Sequence, residues 1–229
     1  MLSGRAIHLY LPVALYLHIP LHLVHPFFIQ NIPRRGIFVF KPGRYAGAME
    51  LLPSLKTGSL IVVLVSRSRN SDLIPDLIAE LALRGPVTVL DDGNCFPAYR
   101  IAQLIRRKSL DVDAISSRII VRRAFTCYQV VNLLESTPAT NQPCIILNLL
   151  ATFQDEQVKP KETDRLLTIC LTHIERLRLF SPVAVTLEPV ILAEKEFLLK
   201  RICERADEVF TLHTEKVPQE KQLSFFQGM

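Results

Sequence analysis

The sequence predicts a single α/β domain in which a mostly parallel sheet of about six strands is flanked by helices. Three observations lead there: short β-branched runs recur along the chain, longer amphipathic segments separate them, and capping or turn residues fall at the junctions. Length and composition agree. A chain of 229 residues, 49% hydrophobic and 21% charged, suffices for one domain of ordinary size with a closed core.

Residues 1–48 stand apart from this pattern. Between Ala6 and Ile32 the chain is rich in Leu, His and Pro, and Pro12, Pro20 and Pro26 interrupt any helix at short intervals. A secretory signal is one reading, since Arg5 precedes an apolar stretch, but no convincing small-residue cleavage site follows. A spanning helix fits poorly, because four histidines and three prolines would sit in or near hydrocarbon. His18, His22 and His25 do not converge on a metal, because Pro20 spoils the helical spacing. A further reading is that the natural start is Met49, where regular patterning begins. The segment is therefore treated as an irregular apolar and basic extension, followed by a domain over 49–212.

Within the domain, the apolar runs are Leu60–Val65, Val87–Leu90, Ile119–Val121, Cys144–Leu149, Val183–Leu187 and Val209–Leu212. Such blocks suit strands buried on both faces of a parallel sheet. Helices are predicted over 72–84, 97–108, 111–117, 127–136, 161–179 and 192–206. Ser71-Asp72, Pro97 and Thr126 supply a capping oxygen or a preset φ at three of the starts. From residue 213 a polar tail runs to Met229.

A net charge of +5 looks like an invitation to nucleic acid until it is located. Five basic residues and no acidic one fall in 1–48, which leaves 22 basic against all 22 acidic residues in the remainder. The body is formally neutral, and net charge gives no argument for DNA binding. The five cysteines are single, with no C-x-x-C and no histidine at metal spacing. They read as small buried hydrophobes in a reducing cytoplasm, with neither disulfide nor metal expected.

Three stretches in order resemble the RecA/RadA recombinase family. After the run ending at Leu90 comes Asp91-Asp92-Gly93-Asn94-Cys95-Phe96-Pro97-Ala98-Tyr99-Arg100-Ile101, similar to the family's acidic-Gly-Thr-Phe-x-Pro-x-Arg-Ile segment. Next, Val121-Arg122-Arg123-Ala124-Phe125-Thr126-Cys127-Tyr128-Gln129 resembles the family's Arg-Ala-Phe-Asn-x-x-x-Gln continuation. Finally, Ile145-Ile146-Leu147-Asn148-Leu149-Leu150-Ala151-Thr152-Phe153 falls where the family has its Walker B strand. The resemblance covers about 58–190 and implies a RecA-like, P-loop NTPase fold.

The departures bear on activity. A phosphate loop needs glycines whose N–H groups close around phosphate, a lysine for the β and γ oxygens, and a hydroxyl for Mg²⁺. Here the corresponding place reads Ser66-Arg67-Ser68-Arg69-Asn70-Ser71-Asp72, without glycine or lysine. Asn148 stands where the metal-linked carboxylate belongs, and a neutral amide is a poor Mg²⁺ ligand. The carboxylate that orients water survives at most as Asp92. Asp155 and Glu156 read as solvated loop acids. The expectation is a degenerate fold with no catalytic, cofactor or metal residues. The alternative is an ATPase whose unorthodox phosphate site uses Arg67, Arg69 and Asp92.

Two binding surfaces remain. Arg67, Arg69, Arg100, Arg106, Arg107 and Lys108 are candidate anion or DNA contacts, joined by Arg118, Arg122 and Arg123 if these do not pair with local acids. In the tail, Gln222-Leu223-Ser224-Phe225-Phe226 resembles the bacterial sliding-clamp-binding pentapeptide, a polar residue followed by apolar anchors for a groove. The plainer reading is that Phe225 and Phe226 pack back on the domain. Together the resemblances imply a cytoplasmic accessory protein of DNA repair, recombination or damage tolerance, similar in plan to ImuA-type proteins. Its expected partners are a clamp, recombinase or polymerase, and DNA where the arginines are free. A third reading is a structural partner of a true recombinase, pairing through a sheet edge or the segment around Phe125. No stable membrane insertion is expected.

Overall fold

The computed structural model describes residues 37–40, 48, 51–65 and 72–212, all within the unit Pro33–Met229. The predicted extension up to residue 32, Arg67 and Arg69, and the tail with residues 222–226 lie outside them. In chain order the elements are β1 (Ile37–Phe40), β2 (Leu60–Val65), α1 (Leu73–Arg84), β3 (Val87–Asp91), α2 (Ala98–Arg106), α3 (Val112–Ser116) and β4 (Ile119–Arg123). Then follow α4 (Cys127–Ser136), β5 (Cys144–Leu147), α5 (Pro160–Arg178), β6 (Val183–Leu187), α6 (Glu196–Arg205) and β7 (Glu208–Leu212). Short 3-10 turns at Thr152–Gln154 and Ala193–Lys195 interrupt the β5–α5 and β6–α6 connections.

The strands form one sheet in the order β1-β7-β2-β6-β5-β3-β4, and every pairing is parallel. Among the described residues the sheet has seven strands, one more than the roughly six expected. The added one, β1, lies inside the stretch read as an irregular extension and pairs with β7 from Ile37↔Val209 to Phe40↔Leu212. No helix among the described residues is long and apolar enough to cross a membrane.

Alternation along the strands sorts the core into two layers. Ile61, Val63, Val87, Val89, Ile145 and Leu147 face the side covered by α1, α2 and α3. Leu60, Val62, Leu90, Ile146 and Val185 are equally buried on the other side, where α5 lies against β6 and α6 against β2. Central strands are buried at nearly every position, whereas β4, at the end of the sheet, is half-exposed and ends in two arginines.

Helix ends are completed by side chains from neighbouring elements. Arg118 Nη1 donates to the Ala82 and Leu83 carbonyls at the end of α1, at 3.2 and 3.3 Å. Arg176 Nη2 does the same for α4, donating to Leu134, Glu135 and Thr137 oxygens at 3.0, 3.3 and 2.8 Å. Carbonyls left over in the last turn of a helix need such partners, and a cation there also suits the helix dipole. At Gly58, φ is +85°, a left-handed turn that sends its N–H to Arg178 O at 2.8 Å before β2 begins.

Candidate functional site

A parallel sheet gathers the loops that follow its strands at one edge, where ligands of such folds usually bind. The residues singled out from the sequence at the ends of β3 and β5 meet there. Asp91 and Asp92 are adjacent but have opposite environments, because successive side chains point to opposite faces.

Asp91 is fully buried and fully partnered. Its Oδ1 accepts from Cys95 N at 2.9 Å, and its Oδ2 accepts from Phe96 N and from Arg123 Nε, both at 3.2 Å. Arg123 stands directly across the sheet from it in the β3–β4 register. Asp91 therefore folds the 92–96 turn and anchors the sheet end. The Cys95 sulfur lies 3.6 Å from Asp91 Oδ1. Desolvation, then the Asp91 charge and this contact, push the thiol up to about 12. Cys127, Cys144, Cys170 and Cys203 are buried as expected, but Cys95 as a residue is exposed, because it sits in this turn rather than in an element.

Asp92 is only 3% exposed and has one side-chain partner, Thr152, whose Oγ1 donates to Oδ1 at 2.8 Å. Its Oδ2 is buried with no hydrogen bond. Burial drives its pKa up to about 8, the Thr152 hydrogen bonds oppose that rise, and the Asp91 charge adds to it. At neutral pH the group is a neutral carboxylic acid, unsuited to accept a proton from water.

Asn148 follows β5 with φ of +51°, a left-handed conformation that asparagine tolerates. Its N–H donates to Thr186 Oγ1 at 2.8 Å, and its Oδ1 accepts from Glu188 N at 3.3 Å. Both bonds tie it to the end of β6. Gly93 packs on it so closely that a Cβ there would lie 3.0 Å from Asn148 Cβ and Nδ2. Among the described residues, no cluster of three His, Cys, Asp or Glu side chains could hold a metal ion.

At the start of α1, where a phosphate loop would deliver its ligand, the anion present is a side chain. Asp72 occupies the N-cap position, and Arg100 from α2 grips it with both Nε and Nη2, the Nε bond being 2.7 Å. The Arg100 hydrogen bond holds the Asp72 carboxyl below its ordinary range, against a smaller opposing effect of burial. A carboxylate thus sits at a helix N-terminus, a position that favours negative charge.

Much of the basic surface foreseen from the sequence is internally engaged. Besides Arg100, Lys108 pairs with Asp76 and Glu80 of α1. Arg118 caps α1, Arg123 meets Asp91, and Arg122 donates to Ser136 Oγ and Thr137 Oγ1 at 2.8 and 3.2 Å. The side chains of Arg106 and Arg107 make no hydrogen bond or ion pair among the described residues.

Beside Thr152 an open groove of about 550 Å³ runs between the β4–α4 and β5–α5 junctions. Phe125, 64% exposed, and Tyr128, 49% exposed, form one wall, and the turn from Ala151 to Val158 forms the other. Thr126 Oγ1 accepts from Gln129 N at 3.2 Å, and Gln129 Oε1 accepts from Phe125 N at 2.8 Å. This variant of the capping box fixes the backbone beneath the Phe125 ring. The other wall is pinned from below. Lys195, 0% exposed, donates from Nζ to Phe153 O at 3.0 Å and Asp155 O at 2.6 Å, and Gln154 Oε1 accepts from Ile191 N at 2.9 Å. Thr126 was legible as a helix start; the role of Lys195 was not, since nothing in the Ala193-Glu194-Lys195 sequence announces a buried cation.

No protein-family model matches this chain, and no curated protein matches it at a significant level.

Proposed function

We propose that this protein is a non-catalytic RecA-like accessory factor of DNA repair, recombination or damage tolerance, working by binding partners rather than by turning over nucleotide. The observation that carries the reading is the Asp72–Arg100 pair at the start of α1. A phosphate placed there would meet a carboxylate, not a cradle of glycine N–H groups. Two further positions support it: Asp92 is a neutral acid, and Asn148 is a neutral amide bonded to the end of β6.

On this reading Gln222, Leu223, Ser224, Phe225 and Phe226 engage a sliding clamp, and DNA contact falls mainly to Arg106 and Arg107, whose side chains make no hydrogen bond or ion pair among the described residues, with Arg67 and Arg69, which follow β2 in the sequence. A second mode of partnership has its own support, because β4 ends the sheet with Ile120 half-exposed, leaving a strand edge for another protein.

The test is calorimetric titration of the full chain with the clamp of its source organism and, on the same preparation, with Mg·ATP. Expected are micromolar clamp binding, abolished by Leu223→Ala/Phe225→Ala/Phe226→Ala, and no heat from Mg·ATP. Clear Mg·ATP binding without clamp binding would overturn the proposal in favour of an ATPase using Arg67, Arg69 and Asp92.

A further inference from the structure

The groove beside Thr152 presents two rings that no described residue covers, and its walls are set before anything occupies it. Capping by Thr126 and Gln129 holds one wall and Lys195 holds the other. A preorganised aromatic cleft of this kind suits a short apolar segment, because little ordering is left to be done on binding.

The sheet also brings a candidate segment to the groove. Since every pairing is parallel, β7 ends at Leu212 on the same edge as β4 and β5, three strand positions from β5 and five from β4. At about 4.8 Å per strand those positions are about 14 and 24 Å away. Ten residues lead from Leu212 to Gln222, and an extended chain of that length spans about 33 Å. The sequence it delivers is Lys221-Gln222-Leu223-Ser224-Phe225-Phe226, a cation followed by three large apolar side chains. One exposed carboxylate, Asp155, lines the groove.

We infer that this groove is the docking site of the chain's own segment 221–226. Leu223, Phe225 and Phe226 lie against Phe125, Tyr128 and Val158, with Lys221 toward Asp155. Tethering favours this occupant over a free partner: a short linker gives an effective concentration of about 1 mM, so a segment with an intrinsic affinity of about 100 μM is bound about ten times as often as it is free. The docked state withholds the same residues from any outside partner. The contact itself goes beyond the clamp reading and does not depend on it.

Hydrogen exchange read by mass spectrometry on the full chain tests the contact. In Leu223→Ala/Phe225→Ala/Phe226→Ala, amides of 125–130 and 151–158 are expected to exchange about five to ten times faster than in the parent, at every protein concentration. In Tyr128→Ala, the same acceleration is expected at 221–226 while β2 and β6 stay unchanged. Identical exchange in parent and tail variant overturns the inference. So does protection that rises with protein concentration, which would assign the groove to the tail of a second copy. Clamp titration is a separate readout, so a failure of one proposal is distinguishable from a failure of the other.

Discussion

Replacing Asp92 with Asn is expected to stabilise the protein at neutral pH, and the size of the gain follows from the burial of this one carboxyl. In the fold its pKa is about 8, against 3.8 for an unperturbed aspartate. Folding at pH 7 therefore takes up a proton that the unfolded chain has released. A group held protonated in this way costs stability that grows as pH rises from about 4 to about 8, and the cost is constant above that range. Each pH unit changes the folding equilibrium about tenfold, so at pH 7 the upper bound is about 4 kcal/mol. Asp92→Asn keeps the acceptor for Thr152 and the shape of the protonated acid but has no proton to take up. Urea unfolding of both proteins, followed by far-ultraviolet circular dichroism at pH 5, 6, 7 and 8, measures the difference. The chain has no tryptophan to report instead. The variant's advantage should be smallest at pH 5, about 1.6 kcal/mol at most, and widen steadily to pH 8. Parallel pH profiles for the two proteins would mean that Asp92 ionises freely in the fold, and would refute the argument.

Two further substitutions probe the same edge. Gly93→Ala drives a methyl to 3.0 Å from Asn148, so it should cost about 1–3 kcal/mol in the same urea assay, with Asn148→Ala in the same chain restoring part of the loss. Lys195→Met should cost about 1–3 kcal/mol by leaving the Phe153 and Asp155 carbonyls without their donor, and hydrogen exchange at 151–158 should accelerate with it.

The α/β plan was legible because a parallel sheet buried on both faces leaves unmistakable runs. Leu60–Val65 and Val183–Leu187 occupy the predicted residues, and α4 spans the predicted 127–136 because Thr126 and Gln129 carry a capping signature. The first strand was not legible. Ile37–Phe40 is a run of four residues between Arg34-Arg35-Gly36 and Lys41-Pro42-Gly43, and its place is fixed by a partner more than 160 residues away. The charged surface was misleading for a similar reason. Arg100 and Lys108 look like a basic helix face in one dimension, but α2 packs beside α1 and brings them to Asp72, Asp76 and Glu80. Nor could the sequence separate Asp91 from Asp92. Register supplies Arg123 to the first, while the second turns to the opposite face and finds Thr152 alone.

That asymmetry also bears on what the site retains. Asp91, paired with Arg123, and the neutral Asp92 stand side by side in different surroundings, and only Asp91 has surroundings that explain it by folding alone. It shapes the 92–96 turn and closes the sheet end. Asp92 does neither, and its orphaned Oδ2 is a standing cost, of the kind that persists where function and not stability constrains a residue. Its side-chain partner is Thr152, whose turn is a wall of the Phe125–Tyr128 groove. If the groove is where segment 221–226 docks, the neutral state of Asp92 keeps charge out of that wall's foundation. Ionisation above pH 8 would then loosen the Thr152 turn and the docked segment together. Exchange at 151–158 should therefore rise between pH 7 and pH 9, beyond the base-catalysed increase seen at β2, and Asp92→Asn should remove that excess.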